Sequence, residues 1–498
     1  MLACSLLATA CGHGDSSQRG KASLAEATII SPDGTATGVT PFIAFVRVQG
    51  NYLDRLASVG FQIAPMPGTA SRPVSVTYQM DYLKRRNYFA GGDTATVPVF
   101  GLYANYTNRV ELKFVFNDQS EKLVSLDIAT GPYVDAFNTF DRPDKRVARQ
   151  PGTELGFDFF AMKSALAGPI VVDTDGYIRW AVQGPLDAIA SGFVDKGFVI
   201  AAASTRTLRR LELDGTSSEG LLLSPDIAGA HHQIEKGKSG LLLGVYDKVG
   251  GIALDTGKVV EITPAGAILR QWDIGGIVGS YMAKNGDDPS AFVRPGADWL
   301  HANSAIYDSR DNSLTVSSRE NFLLNLDYDS GEIRWIFGDP TKYWHKFASL
   351  RARAISLEDG LYPVGQHAPS VTADGLLMVF NNGAESFNQP PGEPAGEARK
   401  YSTVSAYAID TASRTARQAW QFDYQQSIFS RICSSAYDVA DKSVLVSYAV
   451  AEQGTRTRLV GLNAAHDVVF DFEYRNPSPN CPVSWNAVPV PFGQMDFR

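Results

Sequence analysis

The feature that most constrains this chain is a recurring phrase: a polar turn, a glycine, then an apolar stretch ending in tryptophan. It stands at Asp173-Thr174-Asp175-Gly176-Tyr177-Ile178-Arg179-Trp180 and again over 263–272, ending at Trp272. A third copy is Asp327-Tyr328-Asp329-Ser330-Gly331-Glu332-Ile333-Arg334-Trp335, and a weaker one runs from Asp410 to Trp420. Apolar second strands of hairpins precede the later three copies, at 241–246, 314–318 and 376–380, and one more stands at 444–447. Repeats made of strands alone must hide their sheet edges, and radial repetition does so, which predicts a β-propeller of about six blades. The uneven spacing of the tryptophans implies long insertions and one blade without its tryptophan. Helices should be few.

Residues 25–140 read differently. Alternating runs such as 42–48 and 110–116, bounded by Gly, Asn, Asp and Pro turns, predict a small antiparallel β-sandwich. A polar linker is expected over 140–155 and the propeller over 155–498. The expectation is an all-β chain, and 498 residues are too many for one ordinary core. A net charge of −8 argues against nucleic acid as a partner.

The first eleven residues end in small side chains before Cys11, like the end of an export signal at a lipoprotein site. Residues 1–24 are therefore expected to be the remnant of an export signal, with Cys11 a candidate for lipidation and the chain periplasmic, with a lipid anchor to the membrane left open. A full signal would begin with a basic segment, yet the first basic residue is Arg19, so the start reads as truncated or misassigned. No segment reaches the roughly 20 apolar residues of a membrane helix. Beyond the signal only Cys433 and Cys481 remain, open either to one disulfide or to two buried thiols.

Candidate chemistry lies in the histidines. Three of seven, His232, His301 and His367, open strand-like hairpins. The strand running through His301 to Tyr307 turns at 308–312 and returns from Ser313 to Arg319. If Tyr307 faces Ser313, His301 lies opposite Arg319, with Cβ atoms about 5 Å apart. An imidazole beside a guanidinium suits an anion. Inner strands of a propeller line one channel, so histidines at the start of successive inner strands would meet at its mouth. His13, His345 and His466 carry no such pattern, and the tryptophans read as blade packing.

The block Asp298-Trp299-Leu300-His301-Ala302-Asn303-Ser304, with Ser317-Ser318-Arg319, Gln366-His367 and His231-His232, resembles the bacterial aryl-sulfate sulfotransferases. So does Val97-Pro98-Val99-Phe100-Gly101-Leu102-Tyr103 in the N-terminal unit. The likeness covers residues from about 30 onward, and it departs from the family pattern at Ala368-Pro369 and in the wide separation of Cys433 and Cys481. It implies an exported six-bladed propeller that moves a sulfuryl group from an aryl sulfate to a phenol by a ping-pong route through a sulfohistidine. No nucleotide sulfate donor, metal or other cofactor is implied. On that likeness His367 is the nucleophile, and His301, Arg319 and one of His231 and His232 bind the sulfuryl group.

Neighbouring strand residues point to opposite faces, which selects His232 for the channel. His231 and Asn303 are kept as substrate-binding residues, and Asn303, on the face of His301, is expected to orient a histidine. The sulfuryl group in flight spreads negative charge over three oxygens, which rewards fixed donors. Other readings stay open: a hydrolase passing the group to water, a propeller that only binds a sulfated or anionic ligand, and a three-histidine zinc site, which the charge of Arg319 disfavours. A homodimer is also left open.

Overall fold

The computed structural model describes residues 22–498 except 142, 183–187, 203–205, 219, 226, 250 and 251. Cys11, His13 and all but the last three residues of the expected export signal lie outside the described residues.

The N-terminal unit is two antiparallel layers. Ile30–Thr37, Ile43–Gly50 and Thr94–Phe100 form one sheet. Val74–Gln79, Leu56–Ile63, Thr107–Phe116 and Glu121–Ala129 form the other. Strict alternation drives the packing: along Thr107–Phe116 every second side chain is buried, with Val110, Leu112, Phe114 and Phe116 turned inward. This core is continuous with Trp180, Phe198 and Phe492 of the following unit, so the two units share one apolar interior.

The remaining strands form a propeller of four-stranded antiparallel meanders. Six such meanders occur among the described residues. The second and third merge into one eight-stranded sheet, because their first strands, Ala188–Val194 and Ile227–Lys236, pair in parallel through Ala190–His232 and Ser191–Gln233. Five successive pairs of inner strands neighbour one another from Ala188–Val194 round to Asn486–Pro489, and the circuit closes where Ala188–Val194 meets Phe159–Ser164 of the first meander. Each repeat tryptophan sits on the fourth strand of its meander and packs on the next one. Trp180 stacks on Phe198 at 5.0 Å and donates from Nε1 to the Leu213 carbonyl at 3.0 Å. Trp272 meets Tyr328 at 5.0 Å, Trp335 shares a cluster with Leu377 and Val379, and Trp420 stacks on His466 at 4.3 Å. The second and sixth meanders end in Leu221–Leu222 and Val468–Arg475, without tryptophan, so two blades lack it where one was expected.

The ring is closed from both ends of the chain. Asp144–Val147, read from its polarity as linker, pairs with Val468–Arg475 and becomes a fifth strand of the last meander. Asn486–Pro489 pairs with Phe159–Ser164 and supplies the innermost strand of the first. The chain then runs back to the sandwich, where Met495–Phe497 pairs in parallel with Val74–Gln79. A strand's position in a ring is set by backbone pairing with distant segments, which local polarity does not report.

Under the mouth the channel is filled by side chains. Ser304 donates to Gln233, whose amide donates to the Tyr437 hydroxyl at 2.9 Å, and Asn486 donates to the same hydroxyl at 2.9 Å. Cys433 and Cys481 form a disulfide that ties the approach to the sixth inner strand to the closing segment. Closing a 48-residue loop restricts the unfolded chain by roughly 4 kcal/mol. Replacing both cysteines with alanine should lower urea-unfolding stability by about 2–4 kcal/mol; a loss under about 1 kcal/mol would mean that the strand pairings alone hold the ring shut.

Candidate active site

Three neighbouring inner strands bring the histidines to one mouth, and each does so at a break in its ladder. Register shifts fall between His231 and Ile234, between Ala302 and Ser304, and between His367 and Ser370. His232, His301 and Ala368 adopt left-handed backbone, with φ of 58°, 42° and 47°. Such bulges re-aim side chains that a regular strand would send to alternate faces.

His301 does lie opposite Arg319, by a different route from the expected one. The hairpin turn is one residue shorter than read, pairing Asp308 with Ser313 and Tyr307 with Leu314, and the extra residue Asn303 shifts the register back. The Arg319 N–H therefore donates to the His301 carbonyl at 3.2 Å. Arg319 Nη1 stands 3.2 Å from His301 Nε2, and His301 Nδ1 stands 2.5 Å from an Asp298 carboxylate oxygen. A guanidinium can only donate, so His301 accepts at Nε2 and carries its proton on Nδ1, toward Asp298. In this state His301 has no proton to offer an anion. Arg319 is also not a free cation: its Nε and Nη2 donate to one oxygen of buried Glu320 at 2.8 and 2.6 Å. The other Glu320 oxygen accepts from the Phe387 and Asn388 N–H groups at 2.7 and 2.8 Å.

His367 is buried, with Nδ1 3.0 Å from the Gly365 carbonyl and 2.8 Å from Asn382 Oδ1. The Asn382 amide nitrogen donates to the Ser430 and Cys433 carbonyls at 2.7 and 3.0 Å, which turns its oxygen to the imidazole. With two acceptors at Nδ1, the proton belongs there and Nε2 keeps its lone pair. Burial pulls the pKa of His367 from 6.5 to about 3, with Arg319 and His301 adding to the effect. It is neutral across the physiological range.

His232 faces His301, ring to ring at 5.1 Å. Burial lowers its pKa well below 6.5, and the nearby His231, His301, His367 and Arg319 reinforce the effect. The alternating-face rule does not separate the histidine pair, because the left-handed backbone at His232 leaves the two Nδ1 atoms 2.8 Å apart. His231 itself is 1% exposed and lies behind His232. Asn303 hydrogen-bonds to no histidine side chain: its amide donates to the Gln366 carbonyl at 2.7 Å, holding the residue before His367, and its oxygen has no partner.

The family model described as Arylsulfotransferase (ASST) matches residues 144–482, and that described as Arylsulfotransferase Ig-like domain matches 36–130. The chain belongs to the arylsulfotransferase family. It is 22% identical to Arylsulfate sulfotransferase AssT of Escherichia coli O6:H1, over 85% of this chain and 84% of that one. Identity to Arylsulfate sulfotransferase AssT of Lelliottia amnigena is 21%, with the same coverage. Among solved structures, the β-propeller domain of Cps50 (Swd1) from Myceliophteria thermophila is similar at 12% identity, with a TM-score of 0.35 over 69% of this chain and 90% of that one.

In this arylsulfotransferase, Asp298, Glu320 and Asn382 were not singled out from the sequence. Glu320 is adjacent to Arg319 and Asp298 lies three residues before His301, so proximity along the chain is a usable signal. Asn382 acts across a hairpin and left none.

Two expectations follow from the geometry. Replacing Asn382 with Leu removes the acceptor that orients His367 and should lower kcat about 10- to 100-fold, by analogy with losses of groups that orient metal-bound imidazoles; kinetics at saturating substrate would show it, and an unchanged kcat would detach Asn382 from His367. The second concerns pH. His231 and His367 both have pKa values near 3 in the fold against 6.5 unfolded. Between those limits the unfolded chain binds more protons, so stability is full above pH 6.5 and falls as pH drops, by about 1.4 kcal/mol per unit per histidine. Urea midpoints at pH 7.5, 6 and 5 should fall in that order.

Proposed function

We propose that this chain transfers the sulfuryl group of an aryl sulfate ester to a phenol through a sulfohistidine on His367. The observation that carries the reading is the state of His367: a neutral imidazole, its proton held by Gly365 and Asn382, its Nε2 free, beside Arg319. Nε2 attacks sulfur, the sulfur–oxygen bond to the aryl group breaks, and the phenolate leaves with the electron pair. The N–S bond then breaks as the second phenol's oxygen attacks the same sulfur. Arg319 and His232 hold the non-bridging oxygens, where charge is greatest in the transition state. His301, backed by Asp298, takes the proton of the entering phenol at Nε2 and passes it to water, and water protonates the departed phenolate. Donors with acidic leaving phenols are therefore favoured.

The disulfide supports an oxidising compartment, in keeping with the export read from the N-terminal residues.

Mass analysis of peptides after quenching with donor alone should find the sulfuryl group on His367, and His367→Ala should show neither adduct nor turnover. Double-reciprocal plots at several phenol concentrations should be parallel, as a two-step covalent route requires. Lines meeting at one point would favour direct transfer, and turnover that ignores added phenol would favour a hydrolase. Arg319→Lys should lose about 10²- to 10³-fold in kcat, because a point ammonium cannot bind Glu320 and reach the sulfuryl group as the planar fork does. Near-native activity in that variant would remove Arg319 from the site.

A further inference from the structure

His231 is a buried imidazole to which the transfer steps above give no task, and it is held in a slot made for it. On one side lies the Tyr246 ring at 4.7 Å. On the other is Gly244, where an added Cβ would come within 2.6 Å of His231 Cε1 and 3.0 Å of Nδ1. Only glycine leaves room for the ring there. The slot brings Nδ1 of His231 to 2.8 Å from Nδ1 of His232.

Two imidazole nitrogens at that distance share one proton: one donates and the other accepts. Burial pulls the pKa of His231 to about 3, so His231 is neutral and carries a single N–H. Its Nε2 is buried and has no hydrogen-bond partner. The Val245 carbonyl favours a charged His231 but stands outside hydrogen-bonding geometry of Nε2, so a proton on Nε2 would be an orphaned donor. The proton belongs on Nδ1, between the two rings. His232 then accepts at Nδ1, and its own proton can sit only on Nε2.

We propose that His231 is a positioning residue whose Nδ1–H holds His232 in the form that presents an Nε2–H donor to the sulfuryl oxygens. The inference rests on the transferase reading for its purpose. It explains how His232 serves as a donor where a second positive charge beside Arg319 is disfavoured: the donor is a neutral imidazole fixed in one tautomer. Neutral histidine is otherwise free to put its proton on either nitrogen, and the wrong choice would aim a lone pair at an anion.

The test uses the full chain labelled with ¹⁵N-histidine, with a His232→Gln sample to assign signals. One- and two-bond proton–nitrogen correlations should show protonated Nε2 and hydrogen-bonded, bare Nδ1 for His232, and the reverse for His231. The opposite tautomers overturn the inference. In kinetics with an aryl sulfate and a phenol, His231→Leu should lose about 10- to 100-fold in kcat/KM, as loss of an orienting partner does elsewhere. His231→Asn, which places an amide N–H near the former Nδ1, should recover to within a few-fold, and Gly244→Ala should resemble His231→Leu. An unchanged kcat/KM in His231→Leu overturns the inference while leaving the transferase reading intact. Absence of turnover in the unmodified chain with aryl sulfates would sink the transferase reading instead, and the tautomers would still decide the role of His231.

Discussion

Everything at the mouth of this propeller depends on left-handed backbone at the channel ends of neighbouring inner strands. His232, His301 and Ala368 each adopt it, each beside a register shift. Residues with side chains avoid this region, at roughly 1–3 kcal/mol apiece. The surrounding hydrogen bonds offset that strain: His301 to Asp298, Asn303 to the Gln366 carbonyl, and His367 to Asn382 and Gly365. A regular strand would send successive side chains to opposite faces, and the histidines would be divided between the channel and the blade cores. The bulges instead turn them to one point. Fixed hydrogen bonds there make the point rigid.

Rigidity matters because the charges are balanced before any substrate arrives. Arg319 is paired with Glu320, and the same carboxylate holds the backbone of Phe387 and Asn388. The Phe387 ring in turn lies 4.5 Å from the guanidinium. Buried Lys342 donates to the Glu320 carbonyl at 2.9 Å, and burial lowers its pKa to about 8. An unpaired buried guanidinium would be costly and free to reorient. Paired on Nε and Nη2, it keeps one edge, Nη1, toward His301 and the mouth. Donors fixed in this way need no reorganisation when charge develops on a bound group.

The sequence was most legible where periodicity is physical. Tryptophan repeats marked the fourth strands because each indole fills the gap to the next meander, and alternation marked the sandwich because each layer has one wet face. It was least legible where pairing is non-local. Asp144–Val147 is exposed along its length, so nothing in its composition announces a strand. His301 and Arg319 were placed opposite one another through two errors that cancel, a turn one residue too long and an unseen bulge at Asn303. Alternation gives His231 and His232 opposite faces and His232 the channel, but no local pattern reports the left-handed backbone that brings their Nδ1 atoms to 2.8 Å. Asn382 escaped notice because its role is fixed by partners from another meander.

Those partners connect the closure of the ring to the chemistry at its mouth. The disulfide joins Cys433 to Cys481, at the approach to the strand that completes the first meander. The Cys433 carbonyl accepts from Asn382, and Asn382 fixes the proton of His367. The imidazole is thus linked, through two hydrogen bonds and the disulfide, to the segment that shuts the ring. Without the Cys433 carbonyl, the Asn382 amide would keep only the Ser430 carbonyl to fix which way it faces. The closed ring adds that second acceptor, so a rigid all-β scaffold can hold a neutral imidazole in one tautomer through carbonyl and amide oxygens alone.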